Sequence, residues 1–395
     1  MRVLLLNYEF PPVGGGAGYA TANIASCLVS MGIDAEVLTS RINGEADGGL
    51  VDGVPVHRVH SWRNDVHDCG LRGAYTYVLA AALKRRQLHA EQRYDLEHYF
   101  FSMPTGLLTL VPTFEKPTPY IVSLRGSDVP GYDPNNSKVE RIHAMLKPIT
   151  RRIWRRARKV IALSDALARI ASNTAPDLDI EVIPNGIDTE QFSPPERRNI
   201  RTNTRLITVA RLLERKGIHT ILEACAKPTE LPVELQIIGT GPYEAELREL
   251  VDDLGLQDRV TFLGYVPNEE LPRHYRRSDI FVLPSATESF GLVFAEAMSC
   301  GLPIVASNVG GIPETVRHGI DGLLCPPDDP VALRKNIIEL MSSADARKDI
   351  SQSQRQRILQ HYPWEHIAAR YAAVYRSALD CSGGARVQAE RHVQH

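Results

Sequence analysis

Two glutamates eight positions apart, Glu288 and Glu296, bracket the run Ser289-Phe290-Gly291-Leu292-Val293-Phe294-Ala295, just downstream of the apolar segment Ile280 to Leu283. On a helix that spacing covers about 12 Å of axis, which lets two acidic groups read different hydroxyls of one extended ligand. The commoner fate of glutamate is a solvated helix face. Against that, Glu288 lies at the mouth of an expected strand. Glu296 is embedded among Leu292, Val293, Phe294, Ala297 and Met298, where a charge needs a partner. Two cations, Arg211 and Lys216, follow a second apolar run, Leu206 to Ala210, and precede an expected helix. Such a pair at a helix start suits a diphosphate; it reads equally well as surface charge in a loop. A third element, Pro11-Pro12-Val13-Gly14-Gly15-Gly16-Ala17-Gly18, joins the first strand to the first helix. Its glycines allow close backbone approach, and a helix N-terminus attracts an anion, so a phosphate is the natural guest.

Neither the nicotinamide fingerprint nor a metal motif fits. The dinucleotide signature needs G-x-G-x-x-G directly after the strand and an acidic residue at the end of the second strand. Here Gly14 comes seven positions after Asn7, and the second strand ends in Thr39-Ser40-Arg41. Asp177-Leu178-Asp179 is a D-x-D string of a kind that can hold a metal, but it lies beside the interdomain joint with no matching context and reads as surface. The six cysteines include no C-x-x-C pair, so they read as reduced thiols and not as a zinc site or disulfide framework.

The elements that must position these groups follow one pattern: a short apolar strand, a turn, an amphipathic helix. Strands are expected at Arg2 to Asn7, Ala35 to Thr39, Val56 to Val59, Leu96 to Phe101, Tyr120 to Leu124 and Val160 to Leu163. The pattern restarts with Leu206 to Ala210, Leu235 to Ile238, Val260 to Phe262, Ile280 to Leu283, Ile304 to Ala306 and Leu323 to Cys325. Helices are expected near Tyr19 to Met31, Gly217 to Cys225, Tyr243 to Leu254, Phe290 to Ser299 and Trp364 to Leu379. Continuous apolar strands alternating with helices imply parallel sheets covered on both faces. A chain of 395 residues is too long for one such core, so two α/β domains in series are expected. The joint falls at Pro184-Asn185-Gly186-Ile187-Asp188 and the polar stretch Ser193 to Asn203.

The glycine-rich first loop, Arg211 with Lys216, and E-x7-E at Glu288 and Glu296 occur in that order. With Ile183 to Asp188, Gly239-Thr240-Gly241-Pro242, Gly264-Tyr265-Val266, Gly310 to Glu314 and Asp321 to Leu324, the set resembles the family-four retaining glycosyltransferases over about residues 2 to 379. The resemblance implies the GT-B fold, two Rossmann-like doubly wound parallel-sheet domains facing a central cleft. Residues 1–188 would form the acceptor-side domain and 189–362 the nucleotide-sugar domain. Residues 363–380 would be a helix crossing back onto the first domain, and 381–395 a disordered tail.

Carried over position by position, the resemblance assigns catalysis to Glu288, Arg211, Lys216 and Arg125. Arg211 and Lys216 would neutralise the diphosphate leaving group with no metal or cofactor. Glu288 would hold the donor sugar, Glu296 the ribose diol, and Phe290, Gly291 and Leu292 sugar and phosphate through their backbone. Gly239 and Val266 would border the base, and Gly15 and Gly16 would approach from the first domain. The family commonly has His-Gly-x-Asp where this chain has Arg125-Gly126-Ser127-Asp128, and His-x-His where it has His98-Tyr99-Phe100. An arginine donates hydrogen bonds but is no base at neutral pH. Arg125 would bind an anionic or hydroxyl-rich group or pair with Asp128. Asp128 and His98 are acceptor-side candidates, His98 alternatively a packed strand residue.

The implied reaction moves a hexose-type sugar from a nucleotide diphosphate sugar, UDP preferred over GDP, to a hydroxyl of a glycan, lipid-linked or small-molecule acceptor, with retention. The competing readings are a sugar-nucleotide epimerase and a non-catalytic sugar-nucleotide binder. A net charge of −2 argues against general binding of polyanions, nucleic acid included. No apolar run approaches the roughly 20 residues of a membrane span. Nor does the start of the chain read as a secretory signal, so a cytoplasmic protein is expected. Between Lys138 and Lys159 stand nine basic residues and one acidic, Glu140. With Ile149, Ile153, Trp154 and Ala157 as an apolar stripe, residues 147–159 read either as a peripheral contact with the anionic inner membrane face or as a helix packed on its own sheet. Oligomeric state is not encoded in any of these features.

Overall fold

The structure, a computed structural model, describes residues 1–42, 46–66, 68–113, 117–196, 203–226 and 231–391, with the backbone alone for 381–391. The chain divides into two compact units, Met1–Asn185 with Trp364–His395, and Gly186–Pro363. The first joint thus falls within the expected Pro184–Asp188 segment; part of the polar stretch Ser193 to Asn203 lies outside the described residues.

The first unit contains, in order, β1 (Arg2–Leu6), α1 (Gly16–Ser30), β2 (Asp34–Arg41), β3 (Gly48–Val51), β4 (Val54–His60), α2 (Gly70–Glu91), β5 (Leu96–Phe100), β6 (Tyr120–Ser123), α3 (Ser137–Arg156), β7 (Lys159–Ala162), α4 (Asp165–Ser172) and β8 (Ile180–Val182). The second contains β9 (Thr204–Val209), α5 (Ile218–Ala226), β10 (Val233–Ile238), α6 (Glu244–Asp253), β11 (Val260–Gly264), α7 (Leu271–Arg276) and β12 (Ile280–Leu283). It continues with α8 (Leu292–Ser299), β13 (Ile304–Ser307), α9 (Ile312–Thr315), β14 (Gly322–Cys325), α10 (Pro330–Ser342) and α11 (Ala344–His361). The last helix, α12 (Trp364–Arg391), belongs to the first unit.

The sheets run β3-β4-β2-β1-β5-β6-β7-β8 and β11-β10-β9-β12-β13-β14. The second sheet is wholly parallel. The first departs from the expected parallel pattern at its edge, where β3 pairs antiparallel with β4. The cause is Asp52-Gly53, both at positive φ (48° and 80°), the backbone of a tight hairpin turn. The apolar strands are buried on both faces, as their unbroken sequence requires.

Helix α8 starts at Leu292, two residues later than its apolar pattern predicts. Gly291 at φ 76° is left-handed and cannot continue a helix backward. Helix α12 places Trp364, Ile367, Tyr371, Tyr375 and Ala378 in one core with Leu5, Ile24, Leu28 and Phe100. Its backbone runs to Arg391, beyond Asp380 where apolar periodicity stops; of the tail expected at 381–395, residues 392–395 lie outside those described. No helix among the described residues is long and apolar enough to cross a membrane.

Candidate active site

In the second sheet, β9 and β12 are neighbours, yet the chain leaves β9 toward β10 and β11 on one side and continues from β12 toward β13 and β14 on the other. A crevice opens at the carboxyl ends of two strands whose connections diverge in this way. The loop after β9 carries Arg211 and Lys216, and the loop after β12 carries Glu288. The structure joins them across the switch point: Lys216 Nζ lies 2.6 Å from Glu288 Oε2. Both side chains are mostly covered, at 14% and 11% exposure. A pair in such surroundings is held more firmly than one in bulk water.

Backbone contacts fix the two loops. Lys216 ends a single turn of 3-10 helix, Glu214–Lys216, closed by Gly217 at φ 67°. A Cβ at Gly217 would lie 2.3 Å from the carbonyl oxygen of Pro284, so only glycine lets the β9 and β12 loops touch here. Ala286 N–H donates to the Arg215 carbonyl at 2.8 Å, and Gly311 N–H to the Glu288 carbonyl at 2.9 Å. On the other flank Gly239, φ 125°, packs where a Cβ would stand 1.9 Å from the Ala210 oxygen, and its N–H donates to Gly264 at 2.8 Å. Arg211 is exposed at the start of its loop, and Val266 is half-buried just past β11. Phe290 has a buried ring 5.7 Å from that of Tyr362, and its carbonyl accepts from the Thr315 hydroxyl at 3.3 Å. Gly291 is the N-cap of α8, with no side-chain cap on that N-terminus. Arg211, Lys216, Gly239, Val266, Glu288 and Phe290 to Leu292 therefore sit on adjoining loops at one sheet edge.

Glu296 lies about one turn into α8 and is 3% exposed. Its partner is Tyr275 of α7, whose hydroxyl donates to Oε2 at 2.7 Å. Burial raises the Glu296 carboxyl to about 7, against the opposing pull of the tyrosine. Near neutrality the group therefore converts from a carboxyl that can donate one hydrogen bond to a carboxylate that only accepts. Tyr275 escapes sequence reading: the embedded glutamate demands a donor, but no spacing rule says that it comes from the preceding helix.

The first unit has its own switch point, between β1 and β5. Gly15 and Gly16 lie exposed at the start of α1, with no side-chain cap. A charged group unnoticed in the sequence stands there: Glu9, whose Oε2 accepts from Gly15 N–H at 3.4 Å. Arg125, after β6, is 7% exposed; its Nη1 donates to Asn185 Oδ1 at 3.0 Å, and its guanidinium stands 4.8 Å from the Phe100 ring centroid. Burial lowers its pKa.

Asp128 is not an open acceptor group, and its charge acts on the Arg125 guanidinium. It is buried, and its carboxylate accepts from the backbone N–H groups of Arg125 (2.8 Å), Gly126 (3.1 Å) and Ser102 (2.6 Å), stapling two strand-end loops. His98 is corrected in the same way. It is fully buried, with Nδ1 2.7 Å from Tyr375 Oη and Nε2 2.7 Å from Ser123 Oγ, and burial holds it well below its ordinary pKa. It is the packed strand residue, not a ligand.

The apolar stripe expected on 147–159 faces inward. Ile153 and Trp154 are fully buried, and Trp154 Nε1–H donates to Ser102 Oγ at 2.7 Å. The basic residues of this segment also account for the two aspartates of D-x-D: Arg155 pairs with Asp177 at 2.9 Å and Lys159 with Asp179 at 3.2 Å. Among the described residues no group of three or more His, Cys, Asp or Glu side chains could hold a metal ion.

Comparison with known proteins places these features. The model "Glycosyltransferase Family 4" matches residues 14–191 and "Glycosyl transferases group 1" matches 190–357. A GDP-mannose-dependent alpha-(1-6)-phosphatidylinositol monomannoside mannosyltransferase of Mycobacterium tuberculosis is 30% identical over 95% of this chain and 98% of its own length. Among solved structures, sucrose-phosphate synthase from Thermosynechococcus elongatus superposes with a TM-score of 0.86 at 23% identity, covering 96% of this chain and 100% of its own. HepE from Anabaena, solved with UDP and glucose, gives 0.74 at 22% identity, covering 95% and 100%.

Proposed function

The chain belongs to glycosyltransferase family 4 and has the GT-B type of fold, and from that premise we propose that it transfers a hexose-type sugar from a nucleotide diphosphate sugar to an acceptor hydroxyl with retention of anomeric configuration. The observation that carries this reading is the Lys216–Glu288 pair across the β9–β12 switch point, 2.6 Å apart in mostly covered surroundings. A cation held at such a crevice suits a leaving diphosphate, and the glutamate beside it suits sugar hydroxyls.

In the proposed reaction the bond between the anomeric carbon and the β-phosphate oxygen breaks as positive charge grows on the sugar. Lys216 and Arg211 stabilise the charge developing on the diphosphate without a metal. The acceptor oxygen bonds to the anomeric carbon on the face that the diphosphate leaves, and its proton passes to the departing phosphate oxygen. No protein nucleophile is required. Glu288 orients Lys216 and the donor sugar, and Glu296, oriented by Tyr275, accepts from the ribose diol.

GDP-mannose is the first donor to test, because the relative that is 30% identical uses it. UDP-glucose is the second, on the sequence expectation and the UDP and glucose bound by HepE. The assay is thermal shift with GDP-, UDP- and ADP-sugars, with and without EDTA, followed by turnover. Stabilisation by one nucleotide that EDTA leaves intact supports the reading. Donor stabilisation that EDTA abolishes overturns the metal-free mechanism. Binding without hydrolysis or transfer to any acceptor favours the non-catalytic reading.

A further inference from the structure

Helix α2 presents an apolar stripe that no described residue covers. Leu71, Tyr75, Leu79 and Leu83 follow one another at every fourth position and are 75%, 66%, 51% and 69% exposed. Four such side chains run along about 18 Å of helix. Single exposed leucines are ordinary, whereas a contiguous row marks a surface built for contact.

The helix cannot roll to hide the row. On its inner side Arg85 donates from Nε and Nη2 to the buried Glu97 at 2.6 and 2.8 Å, and from Nη1 to the carbonyls of Leu108 and Val111 at 3.2 and 2.9 Å. Tyr77, Ala81 and Leu88 are buried on that side. The stripe is therefore fixed outward.

Charge and aromatic placement select the occupant. From Gly70 to Glu91 the helix contains the cations Arg72, Lys84, Arg85 and Arg86 against one carboxylate, the terminal Glu91. By helical spacing Arg72 and Arg86 flank the row, one turn from Tyr75 and Leu83 respectively. Trp62, 51% exposed, lies beside the first turns: its backbone N–H donates to Thr76 Oγ1 at 2.9 Å, and the Arg72 guanidinium sits 4.2 Å from its ring centroid. Leucines between cations, with Tyr75 in the row and Trp62 beside it, form the pattern of a helix lying in a lipid headgroup boundary. A second copy of this chain would bring the same cations against themselves, and the one carboxylate of the helix, Glu91 in its last position, already accepts from Gln87 Nε2 at 2.7 Å.

We propose that the α2 stripe, and not segment 147–159, docks this protein on the surface of an anionic lipid leaflet. The contact is peripheral: the leucines enter the acyl boundary, and Arg72 and Arg86 meet the headgroup phosphates. It is independent of the donor and of the reaction.

The test is flotation of the full chain with phosphatidylcholine vesicles containing none or one third phosphatidylglycerol, read alongside tryptophan emission. The chain has three tryptophans, and Trp154 and Trp364 are buried, so an emission change on binding reports Trp62. Binding to the anionic vesicles with a blue shift is expected, at least tenfold above the neutral ones. The combined L71Q, L79Q and L83Q variant should lose at least tenfold, and R72E with R86E a similar amount. The combined R152E and R156E variant on α3 should stay within twofold of the parent. Melting temperatures within about 2 °C keep unfolding out of the comparison. No vesicle binding by the parent, full binding by the leucine variant, or binding lost through the α3 variant alone overturns the proposal. So does a parent that light scattering shows to be a dimer and the leucine variant a monomer, which would put a second copy on the stripe.

Discussion

The two units carry the same crevice and fill it differently. Each has a switch point in its sheet, one between β1 and β5, the other between β9 and β12. In the second unit charged groups meet one another across the gap, Lys216 on Glu288, on loops locked by glycine contacts. In the first, the polar groups are turned inward: His98 is saturated by Tyr375 and Ser123, and Asp128 by three backbone donors. Glu9 and Arg125 stand at the carboxyl ends of β1 and β6. The contrast teaches that one architecture can lock charged side chains across one crevice and turn the polar groups of the other inward; on the function proposed above, the first would serve the diphosphate and the second the acceptor.

The largest effect should come from breaking the charged crevice. Lys216→Ala is expected to lower kcat/KM by about 10³-fold or more, measured as nucleotide diphosphate release, with an unchanged far-UV spectrum. Near-normal turnover would move the leaving-group site away from the β9–β12 loops.

Next is the backbone that holds that crevice. Gly239→Ala forces a Cβ to 1.9 Å from a carbonyl oxygen at φ 125°. A cost of about 3 kcal/mol, seen as a melting temperature some 6–12 °C lower, is expected. Gly15→Ala at the other crevice meets no atom within 4 Å and should leave stability unchanged. Equal losses in both would erase the distinction between a locked and an open loop.

Arg125→Ala should reduce kcat/KM for the acceptor by about 50-fold with donor affinity unaltered, and Arg125→His should recover part of it. A change in donor Kd instead would assign Arg125 to the diphosphate side.

The smallest expected effect concerns Glu296. Its carboxyl sits at about 7 when folded against an ordinary 4.5. Between those values the folded protein holds a proton that the unfolded chain has released, so this group makes stability fall as pH rises from about 4.5 to 7, with no further change above. Donor affinity should rise by several-fold through the same upper limit as the carboxylate forms. Glu296→Gln should flatten both profiles, and a Gln variant with the parent's pH dependence would assign the titration to another group.

The fold class was legible because buried parallel strands leave an unmistakable mark: the unbroken apolar runs Val3 to Leu6, Ile280 to Leu283 and Ile304 to Ala306 need no partner to be recognised. The edge hairpin was less so, although Asp52-Gly53 is a turn signal, since Gly48 to Val51 is too short and too glycine-rich to read as a strand. In the second unit the candidate residues were legible because they come in short local motifs. In the first, what decides the role of His98 is Tyr375, 277 positions away, and what decides Asp128 is a backbone donor on another loop. Spacing rules reach one turn or one strand, and pairing across a sheet lies beyond them. The stripe on α2 was hidden for a further reason: its leucines are interleaved with the apolar residues of the buried face, and only the folded helix separates the two.

The first unit is assembled from two segments separated by the whole of the second. Trp364, Ile367, Tyr371 and Tyr375 close a core whose other wall, Leu5, Ile24 and Leu28, was synthesised more than 300 residues earlier. All residues of the second unit are therefore added to the chain before α12, and the core of the first unit closes only after them. Until α12 emerges, the nascent first unit presents an unfilled apolar trough. Removal of α12 would therefore open the core of the first unit while leaving the second unit's own core intact.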